Sequence, residues 1–123
     1  MKTWAKLAVI FAGGALGTAA RIGLLRLLGD EVVALAAVNV LGCLLLGVIS
    51  GVFGPRVSLT RLFLAVGGLG AFTSWSSLAL QGVTEPGGLV VVVVETCVGV
   101  AFAGLGHLLG MRRPGMRGRG DGR

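Results

Sequence analysis

Charge is scarce in this chain. Of 123 residues, 11 are Lys or Arg and 5 are Asp or Glu, so 13% are charged. A soluble domain carries about a quarter. The shortfall excludes an ordinary soluble globule, whose surface needs a charged shell. Cysteine is nearly absent, and Cys43 and Cys97 both lie inside apolar runs. Their spacing fits no zinc or redox pattern, so they read as small apolar core residues. The sequence contains no nucleophile–base arrangement, phosphate loop or metal-ligand cluster, which argues against an enzyme.

Apolar residues make up 54% of the chain and fall in long runs, so the solvent for most of it is lipid. The net charge of +6 raises a nucleic-acid reading. The basic residues, however, sit at the ends of apolar runs and not along one face. They read as a topology signal.

A bilayer core about 30 Å thick needs ~20 apolar residues in a helix. Four segments qualify: residues 7–28, 32–53, 62–83 and 88–109. Short linkers with turn residues join them: Gly29-Asp30-Glu31, Gly54-Pro55-Arg56 and Thr84-Glu85-Pro86-Gly87. The first run has marks of a signal peptide, with Lys2 and Lys6 before it and Ala19-Ala20 inside it. It is long and glycine-rich, and three more spans follow, so it reads as a retained helix. The fold class is an all-α membrane protein of four transmembrane helices. Residues 111–123, rich in Arg, Gly and Pro, read as a disordered basic tail.

Lysine and arginine are one-sided. Lys2, Lys6, Arg56, Arg61, Arg112, Arg113, Arg117, Arg119 and Arg123 all fall on one side of a four-span topology. The opposite loops hold Asp30, Glu31 and Glu85. The positive-inside rule then puts both termini in the cytoplasm. Among 23 glycines, Gly13-xxx-Gly17, Gly47-xxx-Gly51 and Gly106-xxx-Gly110 place small residues one turn apart, which lets helices approach closely.

Polar residues inside the spans need a reason. Asn39 offers two donors and one acceptor. It reads either as an interhelical bond or as a donor aimed at a passing anion. In the third span, Gly67, Gly68 and Gly70 precede Thr73, Ser74, Ser76 and Ser77. That run weakens the helix near its middle, giving either a kink or a break that frees carbonyls for an ion. Arg21 either snorkels or lines an aqueous vestibule that attracts anions. Glu95 has three readings: pairing with a base, taking up a proton, or facing a water-filled cavity. His107 reads as interfacial.

Three of these stretches carry a likeness. Gly13-Gly14-Ala15-Leu16-Gly17-Thr18-Ala19-Ala20-Arg21 is similar to the Gly-Gly-x-x-Gly-Ala-x-x-Arg of the Fluc/CrcB fluoride channels. Val38-Asn39-Val40-Leu41-Gly42-Cys43 resembles their Val-Asn-x-x-Gly-Ser. Gly70-Ala71-Phe72-Thr73-Ser74-Trp75-Ser76-Ser77-Leu78 resembles their Gly-x-x-Thr-Thr-Phe-Ser-Thr-Phe. Each is modest alone. Three in order, each on its own span, make a specific match over residues 1–110.

The resemblance implies a channel domain over 1–110, an antiparallel dimer with two narrow pores, and a third helix broken at its centre. It implies a structural sodium ion held at the dimer axis by main-chain oxygens of Gly70 and Thr73. It assigns Asn39, Trp75, Ser76 and Leu78 to the fluoride path and Arg21 to the vestibule. It implies passive fluoride export across a bacterial inner membrane. The sequence departs from the family at key places. Trp75 and Leu78 stand for two phenylalanines, Gln81 for a glutamate, and Glu95 for a serine. Leucine has no ring quadrupole to offer an anion. That loss and the one-sided charge suggest a subunit that pairs with an inverted homologue. The alternatives are an assembly-only subunit and a small multidrug transporter. Such transporters resemble one another in an essential glutamate in the first span, which this chain lacks.

Overall fold

The computed structural model describes residues 2–112. Helix α1 spans Thr3–Leu28 and α2 spans Glu31–Phe53. The third span starts as α3, Leu59–Arg61, widens into a π-helical stretch, Leu62–Leu69, and ends as α4, Gly70–Phe72. After a break come α5, Trp75–Thr84, and α6, Gly88–Met111. These make four crossings long and apolar enough for a membrane. Each runs slightly past its apolar run, because a helix closes its backbone bonds regardless of side-chain polarity. Of the tail expected at 111–123, Met111 ends α6 and Arg112 follows it; residues 113–123 lie outside the described residues.

The turns form where the linker residues predict. Gly29, Gly54 and Gly87 take positive φ angles of 74°, 63° and 71°, which favour glycine. Asp30 caps α2, its Oδ1 accepting from the Val32 and Val33 amides at 3.0 and 3.1 Å. Ser58 caps α3 by accepting from the Arg61 amide at 3.1 Å.

Backbone proximity, more than bulky side chains, builds the interior. Val38 is the largest fully buried side chain. All three small-residue pairs lie at close helix contacts. A Cβ on Gly13 would collide with the Phe63 carbonyl, and one on Gly17 with Gly68. The same holds for Gly47 against Ala103 and for Gly51 against His107. It holds again for Gly106 against Leu44 and Gly110 against Val48. So α1 lies along the first half of the third span, and α2 lies along α6. Gly82 meets Gly88 and Val92 where α5 turns onto α6. Large apolar side chains such as Phe11, Leu27, Val83 and Val100 point outward, as a lipid-facing surface requires. Cys97 is also exposed and Cys43 is half-buried, so the expectation that both are core residues fails for Cys97. Its place on α6 turns it away from the packed glycine face.

Candidate functional site

The break in the third span falls at Thr73 and Ser74. Their φ/ψ angles, −79°/158° and −144°/97°, are extended. In an unbroken helix the Ser74 amide would bond the Gly70 carbonyl, and the Ser77 amide the Thr73 carbonyl. Here the Ser74 amide donates to Asn39 Oδ1 at 2.7 Å. The Ser77 amide donates to Ser74 Oγ at 3.2 Å, the capping bond that restarts the helix as α5. The Gly70 and Thr73 carbonyls therefore lose their ladder partners. Thr73 Oγ1 donates back to the Leu69 carbonyl at 3.0 Å, closing the end of the first half.

Asn39 reaches this break from the middle of α2. Besides accepting from Ser74, its Nδ2 donates to the Ser74 carbonyl at 3.3 Å and to Glu95 Oε1 on α6 at 2.9 Å. Asn39, Ser74 and Glu95 are buried, at 9%, 6% and 7% exposure. One amide thus joins α2, the third span and α6 within the apolar interior. The interhelical reading of Asn39 describes this arrangement. Glu95 Oε2 is buried and has no partner.

A cavity of about 320 Å³ adjoins this junction. Asn39, Gly70, Thr73, Trp75, Leu78 and Glu95 all line it, so one concavity collects five of the six residues singled out for the anion path and the cation, plus Glu95. Trp75 is 63% exposed and Ser76 is exposed at the start of α5. Leu78 is 3% exposed and packs into the interior. Arg21 is half-buried on α1 and does not line this cavity. Sequence reasoning placed Glu95 on the fourth span but not beside Asn39, because 56 residues separate them. Gln81, which the resemblance marks as standing for a glutamate, also has its Oε1 buried without a partner. Among the described residues no group of His, Cys, Asp and Glu could hold a metal.

Four spans, the third broken and clamped by a buried amide, define a small polytopic membrane protein with a polar junction at mid-depth. Residues 8–111 match the family model for the CrcB-like protein, camphor resistance (CrcB). The chain belongs to this family. It is 41% identical over 107 residues to "Fluoride-specific ion channel FluC 1" of Rhodococcus jostii strain RHA1, covering 85% of each chain. It is 36% identical over 114 residues to "Fluoride-specific ion channel FluC 2" of Thermobifida fusca strain YX, covering 82% of this chain and 84% of the relative. It is 40% identical over 102 residues to "Fluoride-specific ion channel FluC" of Cereibacter sphaeroides strain ATCC 17029, covering 76% and 82%. No solved structure matches significantly. The family assignment displaces the multidrug-transporter alternative.

Proposed function

We propose that this chain is a subunit of a fluoride-specific ion channel that lets fluoride leave the cytoplasm down its gradient, with no catalytic step. The relatives' names supply the ion. The observation that carries the reading is the broken third span, tied by Asn39 beside an open cavity. Fluoride is small and tightly hydrated, so a path must replace its water with donors and ring edges without trapping it. Asn39 is the amide on this path, Ser76 a hydroxyl, and Trp75 an aromatic ring whose edge is the positive part of its quadrupole. Leu78 contributes packing only. Arg21, on α1 away from this cavity, would act at a distance, raising anion concentration in an aqueous vestibule.

The cavity opens at the protein surface beside exposed Trp75, and an inverted second subunit would close it. The Gly70 and Thr73 carbonyls, released from the helix ladder, suit a hard cation such as sodium at that contact. Sodium would fix the two broken helices against each other. The one-sided Lys and Arg place both termini in the cytoplasm of a bacterial inner membrane. A single orientation favours a homologous inverted partner over a self-pair. Fluoride efflux from liposomes, followed with a fluoride electrode, tests this for the chain alone and with a homologous partner. Fluoride current with chloride excluded is the expected result; no fluoride efflux in either case refutes it.

A further inference from the structure

The Asn39 amide nitrogen has two hydrogens to give. In this chain both have acceptors: the Ser74 carbonyl at 3.3 Å and Glu95 Oε1 at 2.9 Å. The amide oxygen is also engaged, by the Ser74 N–H at 2.7 Å. An asparagine so satisfied has no donor left for a passing anion. The shorter of its two donated bonds ends on a carboxyl oxygen, the acceptor type that most resembles a small anion. That oxygen is fixed to α6 and cannot diffuse away. Glu95 lines the same cavity as Asn39, and its other oxygen is buried without a partner. Holding Asn39 uses one carboxyl oxygen and leaves the other buried without a partner in a residue that lines the cavity. Among the described residues no Lys, Arg or His lines the cavity to draw the carboxyl elsewhere, and Cys43 of α2 is the only other titratable group there.

We propose that Glu95 is a tethered acceptor: its carboxyl oxygen occupies the anion subsite at Asn39 and keeps this chain's own path from conducting. This rests on the fluoride-channel reading and deepens it. Glu95 sets conductance by competing with fluoride for one donor. Shortening the side chain frees an Asn39 hydrogen, whereas Glu95→Gln retains an acceptor oxygen at the same reach.

The test uses the full chain, purified in detergent and reconstituted into liposomes, where insertion populates both orientations whatever the charge bias. Glu95→Ser and Glu95→Ala should raise fluoride efflux at least about tenfold, the scale of one restored donor in a desolvated path. Glu95→Gln should stay as slow as the parent. A second readout is independent of pairing. The Asn39 side-chain ¹⁵N–¹H resonances in micelles should not move with sodium fluoride in the parent chain, and should move in Glu95→Ser. Efflux that falls in both Glu95→Ser and Glu95→Ala would mean that the carboxyl serves conduction, and overturns the proposal. So does fluoride-induced movement of the parent Asn39 resonances. If the parent with a homologous partner moves no fluoride at all, the channel reading fails instead.

Discussion

Replacing Asn39 by alanine removes three hydrogen bonds at once. The Ser74 N–H loses its acceptor, the Ser74 carbonyl its donor, and Glu95 Oε1 its donor, all in a buried setting. Side-chain hydrogen bonds within membranes average roughly 0.6 kcal/mol and reach about 1.7. Three of them give about 2–5 kcal/mol. The Ser74 amide is the worst loss, because the break leaves it no helical alternative. Asn39→Asp should be worse than Asn39→Ala. It keeps an acceptor for Ser74 but loses both donors and sets a second carboxyl against Glu95. The assay is unfolding in SDS mixed micelles, followed by tryptophan fluorescence in a Trp4→Phe background so that Trp75 reports. A cycle with Glu95→Ala isolates the pair, with an expected coupling of roughly 0.5–1.5 kcal/mol. A midpoint for Asn39→Ala within about 0.5 kcal/mol of the parent would refute the clamp, as would zero coupling with Glu95.

The glycine contacts make a second prediction: Gly47→Val and Gly106→Val should each lose the folded state in the same assay, because the new Cβ meets backbone carbonyls of the facing helix. Gly104→Ala, where nothing lies within 4 Å, should be neutral or gain up to about 1 kcal/mol. Leu78→Phe should lower stability by roughly 1–3 kcal/mol through overpacking of a buried site, and should not raise fluoride efflux while Glu95 holds Asn39; a large rise would identify the missing ring as the limiting contact. Asp30→Cys should label only from outside intact cells; an even split between sides would contradict the charge argument and restore a self-pairing channel.

The four spans were legible because lipid imposes length and apolarity on any helix that crosses it. The turns were legible because positive φ angles select glycine at positions 29, 54 and 87. The break was legible in kind but only loosely in place. The triplet Gly67, Gly68 and Gly70 suggests weakness, yet Gly67 and Gly68 lie in continuous helix and serve contact with α1. The chain opens afterwards, at Thr73 and Ser74, where hydroxyls can take over backbone bonds. In a membrane, glycine marks close approach as readily as flexibility. Nothing in Leu-Phe-Leu-Ala-Val-Gly-Gly-Leu separates a π-helical turn from an α-helical one. The partner of Asn39 was hidden for a different reason. Which face of the fourth span meets the second depends on the glycine register of Gly47, Gly106 and Gly110, and the sequence gives no means of phasing the two helices.

The break also resolves a conflict of packing. The first half of the third span must follow α1, to which Gly67 and Gly68 bind it. Its second half must turn onto α6, where Gly82 meets Gly88. A straight helix at one fixed angle would have to serve both neighbours, and the extended residues at Thr73 and Ser74 release that constraint. Releasing it exposes backbone groups that lipid cannot satisfy. Asn39 satisfies the Ser74 amide and carbonyl, Ser74 Oγ satisfies the Ser77 amide, and Gly70 and Thr73, whose carbonyls lose those ladder donors, both line the cavity. The polar junction is therefore a consequence of how these glycines pack, before it is a site for any ion. Glu95 reaches the same amide from α6 and accepts its second donated hydrogen, so the junction that packing creates already has its donors spent within the chain.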